Sequence, residues 1–280
     1  MNDTLLRQLE LKAALRDALA RTEFELVYQP VMNLWTGAIV GVEALLRWRH
    51  PTRGTVSPAE FVPLAEEIGE ITQIGYWALR EACQQIANLH RRTAVSLQVA
   101  INLSTSQLQD PGLTQCISAV LAETGLAPSA LILEIAETAV MQDPESAIDH
   151  AHTLKTTGVR LAIDHFGAGQ LSAAHIRRFP ADILKIDKSV VDGIGAQGEG
   201  QALTTSLIDL AATLKLRSVA EGIERIEQLD RLRELGCDFG QGYLFSAAVE
   251  VHQLDRLVSQ GGRWPRNHLG NGGPSNNRPA

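Results

Sequence analysis

The chain has 280 residues, 45% of them hydrophobic, and a formal net charge of −7. No apolar stretch approaches the ~18 residues of a membrane-spanning helix, the Met1-Asn2-Asp3-Thr4 start lacks the basic and apolar regions of a secretion signal, and the net acidity argues against a nucleic-acid polymer as partner. Cys83, Cys116 and Cys237 stand far apart, with neither zinc spacing nor a disulfide framework, which fits a cytoplasmic protein.

Residues 4–20 carry Leu5, Leu6, Leu9, Ala13, Leu15 and Leu19 at near-helical spacing and predict a helix, either packed on the domain or linking it to an upstream one. Residues 24–31 predict a first strand, with Gly37 marking a hairpin turn into a second strand over 39–48. Ser57-Pro58-Ala59-Glu60 predicts a helix start, with Ser as N-cap, Pro first and Glu third. Helices are expected over 58–68 and 71–90.

From there strands and helices alternate. Strands are expected at 96–102, 131–136, 160–164, 183–186, 217–220 and near 239–243. Helices are expected at 106–124, 144–157, 173–178, 199–214 and 226–235. Alternation of this kind predicts an α/β fold, a TIM-like β/α barrel made irregular by an antiparallel first strand. The chain divides into a linker helix over 1–20, a barrel over 21–259 and a disordered tail over 260–280, rich in Gly, Asn, Pro and Arg.

Several short apolar runs each end on a polar residue: Glu43, Asn102, Glu134, Asp164, Lys185 and Glu221. The C-terminal ends of barrel strands are where such folds carry their chemistry. Glu43, Asn102, Glu134 and Asp164 offer oxygen ligands to one hard cation, magnesium or manganese. Asp164, His165 and Glu221 offer a place to a second cation about 4 Å away, with Asp164 shared; two ions at that spacing clamp the attacking and leaving oxygens of a phosphodiester. Lys185 then touches the attacking water or the phosphate, or alternatively forms a structural ion pair with Asp182 or Asp187.

Arg47 shares strand parity with Glu43 and is the phosphate-binding candidate. Gly193-Ile194-Gly195-Ala196-Gln197-Gly198 spells a dinucleotide fingerprint, but residues 187–192 separate it from the preceding strand and it reads as a loop. Gly167-Ala168-Gly169 reads as a mobile barrel loop beside the metals.

These residues resemble the EAL domain family of bacterial cyclic di-GMP phosphodiesterases. Tyr28-Gln29-Pro30 matches its opening motif and Glu43-Ala44-Leu45-Leu46-Arg47-Trp48 contains its signature. Asn102-Leu103-Ser104, Glu134-Ile135-Ala136-Glu137-Thr138, Lys185-Ile186-Asp187, Ala220-Glu221-Gly222-Ile223-Glu224 and Gln241-Gly242-Tyr243-Leu244-Phe245 follow in order, over about residues 11–248.

The resemblance implies a signal-transduction hydrolase that opens cyclic di-GMP to linear pGpG with two divalent cations, Mg or Mn. It implies a homodimer, and an upstream sensor or GGDEF domain. It assigns the first metal to Glu43, Asn102, Glu134 and Asp164, and the second to Asp164, residue 165 and Glu221. Lys185, Glu221 and Asp164 are implied as the catalytic groups. Gln29, Arg47 and Gln241 are implied at the substrate, and Glu137 as the anchor of the loop after Asp164.

Two departures stand out. Active members of the family usually read Asp-Asp-Phe-Gly-Thr-Gly-Tyr-Ser-Ser, where this chain reads Asp164-His165-Phe166-Gly167-Ala168-Gly169-Gln170-Leu171-Ser172. The second aspartate is His165, and the Tyr-Ser pair is Gln170-Leu171. A neutral imidazole removes one negative charge and offers a softer donor, which weakens magnesium and favours manganese, iron or zinc. It must also shed its proton to bind, so affinity should fall as the pH drops toward ~6.5. The expectation is a phosphodiesterase with an altered second metal site. The alternative is an impaired EAL domain that binds cyclic di-GMP as a receptor, and a third reading is a hydrolase for another dinucleotide.

Overall fold

The computed structural model describes residues 2–93, 95–167, 169, 173–194 and 199–263. Its centre is a sheet of nine strands: β1 (Phe24–Asn33), β2 (Ile39–His50), β3 (Gly54–Val56), β4 (Gln98–Leu103), β5 (Leu131–Ala136), β6 (Arg160–Phe166), β7 (Ile183–Ile186), β8 (Arg217–Ala220) and β9 (Phe239–Gly240). The order is β1-β9-β8-β7-β6-β5-β4-β2-β3, and a further β1–β2 pairing closes it into a barrel. β3 is a short antiparallel extension on the end of β2 and lies outside the closed ring.

Within the closed ring, β2, β4, β5, β6, β7, β8 and β9 pair with their neighbours in parallel, whereas β1 runs antiparallel to both β2 and β9. The antiparallel first strand follows from the hairpin: a turn of a few residues containing Gly37 (φ +66) returns the chain beside itself, whereas a parallel pair needs a long crossover. The other crossovers are helical. Ile71–Arg92 is the longest of them and buries Ile74, Ala78, Leu79, Ala82, Ile86 and Leu89, a stripe at helical spacing, against the sheet.

The expected helix over 106–124 is two helices, Thr105–Leu108 and Leu113–Thr124. Asp110-Pro111-Gly112 interrupts it: proline has no N–H to continue the ladder, and Asp110 Oδ1 instead accepts the Gly112 N–H at 2.8 Å. Ser57 does stand at the N-cap of Pro58–Glu67, but its side chain makes no capping hydrogen bond. The second strand runs to His50, past the expected end, and Glu43 lies in its middle. Helices Glu137–Gln142, Lys188–Asp192 and Val251–Ser259 were not expected.

The helix Asn2–Ala18 lays Leu11, Leu15 and Ala18 into a cluster with Phe24, Trp48 and Phe61. Residues 264–280 of the expected tail, residues 195–198 of the glycine-rich stretch, and Ala168, Gln170 and Leu171 lie outside the described residues. No helix among the described residues is long and apolar enough to cross a membrane.

Inside the ring, Ala100, Ile132, Ala162, Ile183 and Val219 form one apolar layer. A cavity of about 1010 Å³ beneath it opens among the first residues of the strands, and Glu134 and Lys185 form part of its far wall. The polar residues therefore stand above an apolar layer, at the other end of the barrel.

Candidate active site

Lys185 is the centre of the site. It occupies a four-residue strand whose residues are all buried, and is itself only 2% exposed. Its Nζ lies 2.8 Å from Glu134 Oε1, 2.9 Å from Glu221 Oε1, 3.1 Å from Glu43 Oε2 and 3.2 Å from Asp164 Oδ1. Burial disfavours the ammonium, but the four carboxylates outweigh it and hold the lysine well above its usual range. The structural alternative for Lys185 does not hold: Asp182 is bound by Lys155 (Nζ–Oδ2 2.6 Å), and Asp187 faces His165.

One ammonium cannot neutralise four carboxylates, and the acids divide accordingly. Burial works against charge on Glu43, but Lys185 and hydrogen bonds from Gln241 Nε2 (2.6 Å) and Asn102 Nδ2 (3.0 Å) outweigh it and hold its carboxyl below the usual range. Burial, then repulsion from Glu43, pushes Glu134 well above that range despite Lys185. Burial pushes Glu221 up to about 7, with Lys185 opposing and Asp164 adding. Glu134 Oε2 and Gln241 Oε1 are buried without a hydrogen-bond partner. Unpaired buried acceptors and surplus negative charge are what a divalent cation corrects.

Asp164 and His165 reach the same site although they are adjacent in one strand. Side chains of consecutive strand residues normally face opposite ways. Here the β6–β7 register shifts between Ile163 and Phe166, and His165 adopts φ +55. That bulge with a left-handed residue re-aims the pair, and histidine is among the residues that tolerate the conformation. Asp164, His165 and Glu221 each place a ligand atom within 4.8 Å of the others. A histidine nitrogen with two carboxylates is a reasonable donor set for manganese, iron or zinc.

His165 Nδ1 lies 3.0 Å from Asp187 Oδ2 and 3.6 Å from Glu221 Oε2, and its Nε2 lies 3.5 Å from Asp164 Oδ2. Burial opposes charge on the imidazole, but Asp164, Glu221 and the bond to Asp187 outweigh it and raise its pKa above the ordinary histidine value. In the sequence Asp187 stands as an alternative partner of Lys185 and within the Lys185-Ile186-Asp187 motif; its bond to His165 is a finding of the structure.

The loop after β6 is tied to the barrel through Glu137, which is 2% exposed and whose Oε2 accepts the N–H groups of Gly167 (3.1 Å) and Gly169 (3.2 Å). On the β1–β2 hairpin, Gln29 pairs directly with Glu43, and Arg47 follows Glu43 at even spacing on the same strand. Arg47 is half-buried and, among the described residues, its guanidinium hydrogen-bonds the Leu46 carbonyl at 2.9 Å, whereas Arg49 is drawn to Glu25 at 2.6 Å. Gln29 Nε2 approaches the Ser246 carbonyl at 3.5 Å. The site residues expected from the sequence thus come from nearly every strand: the four acids, Gln241 and Lys185 are joined by direct contacts, Asn102 and His165 adjoin them, and Gln29 and Arg47 line the hairpin beside Glu43.

Comparison with known proteins agrees with this geometry. The family model described as EAL domain matches residues 12–248. The bifunctional diguanylate cyclase/cyclic di-GMP phosphodiesterase MucR of Pseudomonas aeruginosa is 38% identical over 254 residues, which cover 91% of this chain and 37% of that protein. The cyclic di-GMP phosphodiesterase NbdA of the same organism is 39% identical over 252 residues, 90% of this chain and 32% of that protein. The chain thus spans about a third of the length of the curated relatives it matches.

The solved structure of the PaMucR phosphodiesterase in complex with c-di-GMP superposes with a TM-score of 0.84 at 38% identity, covering 88% of this chain and 99% of that one. The EAL domain of FimX from Pseudomonas aeruginosa bound to c-di-GMP superposes with a TM-score of 0.79 at 27% identity, covering 85% and 96%. Barrel topology, acidic centre and these matches lead to one conclusion: the chain belongs to the EAL domain family.

Proposed function

We propose that this domain hydrolyses one phosphodiester bond of cyclic di-GMP to give linear pGpG, and that its second metal position is altered in favour of manganese over magnesium. The observation that carries the proposal is the buried ring of Glu43, Glu134, Asp164 and Glu221 around Lys185, with His165 completing a three-donor cluster beside it.

The residues present fit divalent cations: Glu134 Oε2 is an orphaned buried acceptor and the acids outnumber the ammonium. Glu43, Asn102, Glu134 and Asp164 would hold the first, and Asp164, His165 and Glu221 the second. Bound there, such ions supply charge neutralisation at phosphorus and acidification of the attacking water. Arg47 and Gln29 bind the phosphodiester on the hairpin side, where a guanidinium gives paired donors to phosphate oxygens. Lys185 donates a hydrogen bond from Nζ to the attacking water and keeps that water oriented between the acids. Gln241 holds Glu43 and Glu221 in place through Nε2 (2.6 and 3.2 Å), and Glu137 holds the β6 loop over the site.

A second reading is binding of cyclic di-GMP without turnover. It is favoured by His165 itself, which already engages Asp164, Asp187 and Glu221 and so can occupy the second position as an ion-paired side chain. We also propose that the chain works within a longer signalling protein, consistent with its covering a third of its relatives, and, from the family resemblance alone, that it works as a dimer. Product analysis of cyclic di-GMP incubated with the purified domain and magnesium or manganese tests the main proposal: pGpG formed faster with manganese supports it, and intact ligand bound with either ion supports the receptor.

A further inference from the structure

Asp187 follows β7 and caps the helix Lys188–Asp192: its Oδ1 accepts the Ser189 N–H at 2.8 Å and the Ser189 hydroxyl at 2.5 Å. These two bonds fix the carboxylate and leave Oδ2 for His165 Nδ1 at 3.0 Å. A neutral imidazole carries one N–H. A carboxylate held 3.0 Å from Nδ1 places it there, which leaves the lone pair on Nε2, the nitrogen that lies 3.5 Å from Asp164 Oδ2. A ligating histidine whose other nitrogen donates to a fixed carboxylate is oriented and made a better donor by it.

We propose that Asp187 is the positioning residue that makes His165 an Nε2 ligand, so that a Ser189–Asp187–His165 relay sets the metal preference of this chain. The proposal rests on the reading that Asp164, His165 and Glu221 hold a cation.

The test uses the full chain, stripped with a chelator, and cobalt(II) alone as the probe. Cobalt affinity is read from visible absorption, and the His165 tautomer from nitrogen-15 NMR of histidine-labelled metal-free protein. Asp187→Asn is the main variant, because asparagine serves as an N-cap as well as aspartate and spares the helix. It is expected to weaken cobalt about 10–100-fold and to move the His165 proton from Nδ1 toward Nε2. Ser189→Ala loosens the same carboxylate and should give a smaller loss in the same direction. In a His165→Asp background, Asp187→Asn should leave cobalt affinity unchanged, because no imidazole remains to be positioned.

Wild-type affinity and tautomer in Asp187→Asn would overturn the positioning role while leaving a histidine-ligated cation intact. Equal cobalt binding by wild type and His165→Ala would instead overturn the underlying reading, because no ion would then depend on the imidazole.

Discussion

Lys185 Nζ and Glu134 Oε1 meet at 2.8 Å with both residues only 2% exposed, and Glu134 Oε2 beside them has no partner. An ion pair this deeply buried is a liability for stability alone: desolvation of the charges opposes the attraction between them. Its presence under three further carboxylate contacts marks a site arranged for ligands.

The first prediction concerns that lysine. Lys185→Met leaves the four carboxylates without their cation and should destabilise the metal-free protein by roughly 3–5 kcal/mol, the usual consequence of breaking a buried pair from one side. Saturating manganese should recover part of that loss, because the ion replaces the missing positive charge. Urea denaturation in chelator and in manganese reads both effects; equal destabilisation in the two conditions would contradict an acid cluster that binds metal.

A second prediction is the pH dependence of metal binding. In the metal-free protein the pKa of His165 is raised above its ordinary value, and Glu221 is pushed up to about 7. Both groups bind protons more tightly in this state, and both must release them to ligate. Protons and metal therefore compete as pH falls through about 7, and affinity should drop by up to about tenfold per pH unit for each proton displaced. Manganese titrations from pH 8 to pH 6 measure the slope; a flat profile would exclude both groups as ligands.

The third prediction separates the loop from the metals. Glu137→Ala removes the acceptor of the Gly167 and Gly169 N–H groups. Leaving two donors unpaired should destabilise the fold by about 1–3 kcal/mol, speed amide exchange at Gly167 and Gly169, and lower turnover with little effect on metal affinity. Unchanged exchange at those two amides would show that the carboxylate does not hold the loop.

A fourth prediction is at the ligand. Arg47→Ala should weaken cyclic di-GMP binding about 10–100-fold, as expected for loss of a charge-assisted bond worth about 1.5–3 kcal/mol. Arg49→Ala should have no such effect, because Arg49 is already paired with Glu25 at 2.6 Å. Calorimetric titration in chelator compares the two.

Most of the barrel was legible because apolar runs, glycine stops and polar strand ends repeat in order along the chain. The parts that were not legible have identifiable causes. Strand periodicity places Asp164 and His165 on opposite faces; only the register shift and the φ of +55 at His165 bring them together, and neither is encoded in an alternation pattern. Glu43 ends an apolar run but lies inside the strand, because hairpin pairing with β1 carries β2 on to His50. Asp110-Pro111-Gly112 carries a break signal in the sequence itself, and the structure splits the helix there. Asp187 was visible as a residue, but its bond to His165 depends on that same bulge.

The most direct test is a hydrolysis assay of cyclic di-GMP with the purified protein and its His165→Asp variant, each with magnesium and with manganese. An altered but working second metal position predicts pGpG from the wild type with manganese exceeding that with magnesium, and a shift of the variant toward magnesium. No pGpG from the wild type with any divalent ion, together with turnover restored in His165→Asp, would contradict it.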